Sequence, residues 1–300
     1  MEIVDGHTHL YHAFADSDRQ KGCVEDIEGF DLKRLSSKMD ELGISLLQTM
    51  PQEMSRVQGM WLGSNALSAD LGWRVPNRIM AFAAAEPLDR QDVFNRSRLA
   101  EVKEYIAEGR LKGLLLTPPY GHYYANDRRV YPFYEMALEL DAPVYFHHSH
   151  MFGDPKNCPL KYARIWILDD VIIDFPELRI NVEHMGYPWT EELLSMMARS
   201  PNVYTDIAMF ISPIGGRGRP LLLARNLGMA REYGVLERVF YGSDYVGEDL
   251  DEYAGLVKRE VYHLLQKLDR DMESLGYPPL SEEELNGLLR KNVLRLLRAK

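Results

Sequence analysis

The chain has 300 residues, 46% of them apolar and 27% charged, which suits a globular protein with a large core. Its net charge of −10, without any block of Lys or Arg, argues against a nucleic-acid footprint. Two cysteines, Cys23 and Cys158, give no disulfide framework and no C-x-x-C, and they read as reduced thiols of a cytoplasmic protein. No apolar run approaches the ~18 residues that span a bilayer, and the first strand begins at once, which reads as leaving no room for a signal peptide.

Eight short apolar runs read as strands: Glu2–His7, Ile44–Thr49, Arg78–Ala85, Leu111–Thr117, Ala142–His147, Leu178–His184, Asn202–Ile207 and Arg238–Asp244. Near-continuous stretches such as Leu114-Leu115-Leu116 and Pro143-Val144-Tyr145-Phe146 are the pattern of strands buried on both faces. Helical patterns lie between them, at Leu32–Leu42, Val93–Glu108, Tyr131–Leu140, Tyr162–Asp174, Glu191–Arg199 and Leu221–Tyr233. Leu42-Gly43, Asp174-Phe175-Pro176 and Ser200-Pro201-Asn202 mark boundaries. Residues 250–300 read as a helical extension, with a helix start at Ser281-Glu282-Glu283-Glu284. The expectation is an α/β protein, a (β/α)8 TIM barrel with a C-terminal helical extension, forming one domain over residues 1–300. The stretches Pro51–Val75, Pro118–Val130 and Met151–Lys161 read as long loops over the barrel mouth, or as surface decoration.

Polar residues gather at the strand ends. In Ile3-Val4-Asp5-Gly6-His7-Thr8-His9, the two histidines are two residues apart on a strand, with Cα atoms roughly 6.6 Å apart on one face. Imidazoles at that spacing can share a cation at bonds of about 2.0–2.1 Å. His147 closes strand five, His184 strand six and Asp244 strand eight. Each alone has a plain structural explanation, a hydrogen-bonded histidine or an Asx turn. In a parallel barrel, however, all these ends open on one face.

Three imidazoles and a carboxylate suit a divalent transition metal. The remaining position would take water, its pKa drawn from 15.7 toward about 7. Asp244 can bind through one oxygen and take the water's proton with the other, while His184 serves as base, electrophile or proton donor.

These motifs resemble those of the amidohydrolase superfamily. The residues that carry the likeness are Asp5-Gly6-His7-Thr8-His9, Pro143-Val144-Tyr145-Phe146-His147, Asn181-Val182-Glu183-His184-Met185-Gly186 and Tyr241-Gly242-Ser243-Asp244. They are most similar to the amidohydrolase-related branch of aminocarboxymuconate-semialdehyde decarboxylase-like enzymes. Leu111–Pro118, Arg128–Tyr134 and Lys291–Leu297 extend the likeness over nearly the whole chain.

The resemblance implies a metal-binding barrel with His7, His9, His147 and Asp244 as ligands and His184 as the catalytic histidine. It implies one divalent ion, zinc first, with manganese or cobalt as alternatives. It suggests a homodimer. Binuclear relatives use a carboxylated lysine at the end of strand four, where this chain has Leu115, Leu116 and Thr117; Lys112 lies at the strand's start. His148 should point away from the site if His147 binds metal, and His150 can line the pocket or cap a loop.

Two reactions fit: hydrolysis of a lactone, amide or ester carbonyl, and nonoxidative decarboxylation of an aromatic or muconate-type acid. The first is preferred, on a small carboxylated molecule. A barrel that binds metal without catalysis is a third reading, disfavoured by the presence of both Asp244 and His184.

For the substrate's anion, Arg217 and Arg219 in Ile214–Pro220 are candidates, as two solvated arginines would also explain them. Arg164 and Trp166 are weaker ones, with buried helix packing the alternative for Trp166. His122, Tyr123 and Tyr124 can line an aromatic pocket or stack on the surface. Glu86 can orient a ligand or form an ion pair.

Overall fold

A computed structural model describes residues 2–10, 31–148, 156–213 and 217–299, and the backbone alone at 14–16. Its strands are β1 (Ile3–Leu10), β2 (Phe14–Asp16), β3 (Ile44–Thr49), β4 (Gln52–Met54), β5 (Met60–Leu62), β6 (Ile79–Ala81), β7 (Ala83–Ala85), β8 (Leu114–Leu116), β9 (Val144–Phe146), β10 (Ile180–Val182), β11 (Val203–Asp206), β12 (Val239–Phe240) and β13 (Tyr245–Gly247). One parallel sheet has the order β13-β1-β3-β6, and a second has β12-β11-β10-β9-β8-β7.

The two sheets meet at both edges. β6 and β7 are one strand interrupted at Phe82, whose N–H donates to Thr49 O at 2.9 Å while Ala83 N donates to Gly113 O at 2.8 Å. On the other side, the run from β12 to β13 serves both neighbours: Ile207 N donates to Phe240 O, Gly6 N to Tyr241 O, and Asp244 N to His7 O. Eight parallel strand positions therefore close into a barrel, and all eight expected strands are present.

Two apolar layers hold it. Val4, Leu46, Met50, Phe82, Ala84, Leu115, Tyr145, Tyr204 and Phe240 fill the interior. The helix Asn292–Leu297 adds Val293, Leu296 and Leu297 to that same cluster. A second, larger layer lies between strands and helices. Gly6 is required by this packing, because a Cβ there would stand 2.7 Å from Val293 Cγ2 and 2.8 Å from the Phe240 ring. Gly242 lets strand eight approach strand one, where a Cβ would lie 2.4 Å from the Cβ of His7.

Helices form where the periodicity places them, at Leu32–Leu42, Arg96–Ala107, Tyr131–Glu139, Ile167–Asp174, Thr190–Arg199 and Pro220–Glu232. Gly43 ends the first in a left-handed conformation at φ 71°. The C-terminal extension is helical, and the Ser281 start is a reciprocal capping box with Glu284. Pro51–Val75 is not the open loop expected from its sequence. It holds β4 and β5, which form an antiparallel sheet with β2, and the helix Asn65–Arg74 capped by Ser64. The helix's low amphipathicity hid it, since Ala69, Leu71, Asn65 and Ser68 are all buried. Among the described residues no helix is long and apolar enough to cross a membrane.

Candidate metal centre

The histidine pair owes its aim to an irregularity in β1. Val4 and Gly6 face the interior, yet His7 and His9, on positions of the opposite parity, face the barrel mouth. The register of β1 against β3 shifts between Asp5 and Thr8, and this shift reverses the alternation. Asp5 meanwhile turns away from the centre, accepting from Ser243 N at 2.9 Å and from the Tyr253 hydroxyl at 3.0 Å.

His7, His9 and Asp244 converge. Asp244 Oδ1 lies 3.3 Å from His7 Nε2 and 3.5 Å from His9 Nε2. Bonds of about 2.0–2.1 Å in tetrahedral array would separate neighbouring donors by about 3.3–3.4 Å. The donor spacing thus fits a bound cation.

The far nitrogen of each imidazole is engaged. His7 Nδ1 donates to Asp206 Oδ2 at 3.1 Å, His9 Nδ1 to Met50 O at 2.8 Å, and His147 Nδ1 to Glu183 Oε2 at 2.7 Å. A carbonyl or ionised carboxylate can only accept, so the proton sits on Nδ1 and Nε2 carries the lone pair. His7 Nε2 and Glu183 Oε1 are buried without a hydrogen-bond partner. Orphaned donors aimed at one point are what a cation-binding centre requires.

His147, Glu183 and His184 form a second group, and His7, His184 and Asp206 a third; within each, one donor atom per residue lies within 4.8 Å of the others. The His184 ring centroid is 5.1 Å from that of His7 and 5.0 Å from that of His147. His184 and Asp244 both have left-handed backbone, at φ 56° and 51°. Such backbone costs energy and concentrates where surrounding structure enforces it. For His184 the enforcement includes its N–H, which donates to Asp206 Oδ1 at 3.0 Å.

Electrostatics follow from three buried carboxylates among four imidazoles. Burial pushes the Asp206 carboxyl up, but His7, followed by His184 and Asn181, holds it down at about 2. Asp244 and Glu183 are likewise kept below the usual range, burial being outweighed by neighbouring histidines. Burial lowers His184 and His9. His7 alone is drawn upward against its burial, by Glu183, Asp206 and Asp244. The centre attracts positive charge.

The five metal and catalytic residues expected from the sequence are gathered by the fold, and Glu183 and Asp206 join them. Glu183 stands inside a quoted motif, and Asp206 ends strand seven as a lone carboxylate after an apolar run; both signals were readable. Tyr120 is a third addition, its ring 5.2 Å from that of His147. His148 is fully buried with its ring near Phe146, and burial pushes it down to about 3. It belongs to none of the three groups. Lys112 is exposed before β8, away from the centre.

The expected substrate contacts fare differently. Arg164 pairs with Glu192 at 2.6 Å and lies over Trp189, so its guanidinium is engaged within the protein. Trp166 is 60% exposed, so it is neither a pocket wall nor buried packing. His122 Nε2 bonds Asn157 O at 2.9 Å, and its ring stacks on Tyr162; Tyr124 contacts the same ring. Tyr123 is buried. Arg217 is exposed, and Arg219 lies over the Tyr187 ring. Among the described residues Glu86 forms no salt bridge; its N–H donates to Glu53 Oε2, and its buried carboxyl lies within the fields of Arg56 and Arg98. His150 lies outside the described residues, as do Ile214, Gly215 and Gly216.

Barrel and centre together define a (β/α)8 protein with a histidine–carboxylate cluster at the C-terminal ends of its strands. The chain belongs to the amidohydrolase family, whose model, described as "Amidohydrolase", matches residues 4–299. No curated protein matches the sequence. Among solved structures, an uncharacterized TIM-barrel protein, Bb4693 from Bordetella bronchiseptica, is 18% identical, with 99% of each chain covered and a TM-score of 0.65. A dihydroxybenzoic acid decarboxylase from Polaromonas with bound manganese is 16% identical over 99% of this chain and 97% of that one, with a TM-score of 0.59. A probable 2-pyrone-4,6-dicarboxylic acid hydrolase from Acinetobacter baumannii is 14% identical over 99% and 100%, with a TM-score of 0.57. At these identities the likeness is one of fold.

Proposed function

We propose that the protein is a metal-dependent hydrolase that opens a lactone, amide or ester bond in a small, carboxylated molecule. The single observation that carries this reading is the convergence of His7 Nε2, His9 Nε2 and Asp244 Oδ1, with the His7 atom buried and unpartnered. His7, His9, His147 and Asp244 would hold a divalent cation, which would supply Lewis-acid polarisation of a carbonyl or a water.

The chain's own groups do the rest. Asp244 keeps its carboxylate ionised, and its second oxygen is the acceptor for a proton leaving water. His184 is held neutral by burial and set beside His7 and His147, placed to take or return a proton at the leaving group. Asp206 fixes both the His7 ring and the His184 backbone.

The preference for hydrolysis rests on the supply of acceptors. Glu183, Asp206 and Asp244 set three buried carboxylates beside His184 and the convergent donors, a set suited to taking protons released from water. One hydroxyl acid beside the centre is Tyr120, its ring 5.2 Å from that of His147. Burial, with the charges of Cys158, Asp244 and Glu183, pushes that phenol above its usual value and weakens it as a proton source for carbon. Carboxy-lyase chemistry on an aromatic or muconate-type acid is the competing reaction.

For the substrate carboxylate we assign Arg219. Its guanidinium lies over Tyr187, three residues beyond His184, and pairs with no carboxylate among the described residues. The test is to load the protein with zinc, manganese or cobalt and offer two panels. Acid release from lactones and esters supports the hydrolase; CO2 release from hydroxybenzoates with an inert lactone panel overturns it.

A further inference from the structure

Strands one and eight meet through a break in their ladder. Gly6 N donates to Tyr241 O at 3.1 Å, and an unbroken parallel ladder would return the next bond from Ser243 N to Gly6 O. The structure does otherwise. Ser243 N donates to Asp5 Oδ1 at 2.9 Å, and Gly6 O accepts the Tyr145 hydroxyl at 3.2 Å. Asp244 N then reaches His7 O at 2.8 Å, and regular pairing resumes with Thr8 opposite Tyr245. Strand eight therefore bulges at Ser243-Asp244, which is where Asp244 takes its left-handed φ of 51°.

Asp5 closes this break. It is fully buried, and it belongs to none of the three donor groups at the mouth. Its Oδ2 accepts the hydroxyl of Tyr253, on the helix Leu250–Gln266, at 3.0 Å, while the His7 N–H faces Oδ1 from 3.5 Å. A buried N–H left without an acceptor is costly, so the acceptor offered to Ser243 decides whether the bulge holds its shape. We infer that Asp5 is a positioning residue for the metal centre: its carboxylate takes the place of the Gly6 carbonyl in the ladder, and so sets how far Asp244 on strand eight lies from His7 and His9 on strand one. This rests on the metal-dependent reading above and adds a residue to it. The separations concerned, 3.3 and 3.5 Å, already match two donors on one cation, so a small shift of strand eight spoils the fit.

The separating pair is Asp5→Ala and Asp5→Asn. Alanine removes the acceptor; asparagine keeps one oxygen for Ser243 N and turns its amide N–H to the Tyr253 oxygen. Val102→Ala, a buried position on the helix Arg96–Ala107, controls for a plain loss of packing. Zinc and manganese affinities are measured by chelator competition, and the cobalt(II)-loaded proteins are compared by visible absorption. Amide hydrogen exchange is followed in metal-free protein on a peptide containing Ser243 and Asp244. Asp5→Ala is expected to bind metal about 10–100-fold more weakly, the range for groups that act behind the ligands. Its cobalt bands should shift and its exchange at Ser243 quicken. Asp5→Asn should stay near wild type in all three, and Val102→Ala should lose stability to urea while its metal affinity holds.

An Asp5→Ala protein whose affinities and cobalt bands match those of Val102→Ala would show that Asp5 serves the fold alone, and would overturn the inference. So would an Asn protein as weak as the Ala protein, because charge rather than the accepted N–H would then be in control. Wild type that binds none of the three metals overturns the metal-dependent reading, and exchange still decides the role of Asp5. Unchanged protection at Ser243 and Asp244 in Asp5→Ala overturns it; quickened exchange restored by Asn supports it. If Asp5→Ala does not fold, Tyr253→Phe frees the carboxylate from the helix: the same changes in smaller measure support the inference, and none at all overturns it.

Discussion

His7 and Asp206 are 199 residues apart and form a 3.1 Å hydrogen bond in full burial. The bond sets which nitrogen of His7 carries the proton, and therefore which one faces Asp244. Asn181 Nδ2 donates to the same Asp206 oxygen at 2.9 Å, so the carboxylate is itself held in place.

Replacing Asp206 by Asn removes the charge that fixes this tautomer. Carboxylates that orient ligating histidines typically account for 10–100-fold in metal affinity. We expect a loss of about that size for Asp206→Asn, read by chelator competition, with a parallel fall in activity. Unchanged affinity would mean that His7 needs no orienting partner.

His184 lies beside the ligands rather than among the donors nearest Asp244. His184→Asn should lower turnover by about 10²–10⁴-fold, the range of a lost acid–base group, while metal content stays near one equivalent. Elemental analysis with steady-state kinetics checks both halves. Loss of metal together with activity would make His184 a ligand.

Gly6 sits where strand one passes the C-terminal helix. Gly6→Ala would force a methyl against Val293 and Phe240 at under 3 Å. Overpacking of this kind costs about 1–3 kcal/mol, and urea unfolding should show it as a lowered midpoint with little change in slope. The same substitution at half-buried Gly59, which has nothing within 4 Å, lacks the clash and meets only the strain of its φ of 64°.

The extension also carries a pH-dependent tie. Glu284 accepts from Arg231 at 2.8 Å and from its own capping box, which hold its carboxyl down at about 2 against a usual value of 4.5. A carboxyl depressed on folding contributes stability above its unfolded pKa, and that contribution disappears as pH falls from about 4.5 through about 2. Partial exposure screens the pair, so the contribution is about 1 kcal/mol or less. Wild type should therefore lose its advantage over Glu284→Gln across that window, in denaturation curves taken from pH 6 down to pH 2.

Legibility in the sequence followed the range of the interaction. Strand positions were readable because apolar runs such as Leu114-Leu115-Leu116 must be buried on both faces, whatever their partners. The helix Asn65–Arg74 was not, because its buried face carries Asn65 and Ser68, and Asn65 is satisfied there by bonds to Ala84 and Glu101 across the chain. Arg164 was open for a similar reason: a guanidinium near the mouth can turn to substrate or to Glu192, and only the position of the neighbouring helix brings it to Glu192.

The order of the apolar runs already put His7, His9, His147, His184 and Asp244 at the C-terminal ends of parallel strands, and strand direction sends those ends to one rim. Tertiary structure alone decided that β1 shifts register before Thr8, that Asp206 and Glu183 orient two of the imidazoles, and that Arg164 pairs with Glu192 while Arg219 meets no carboxylate among the described residues. Those outcomes depend on contacts made only once the barrel closes, when side chains from distant strands compete for the same few buried partners.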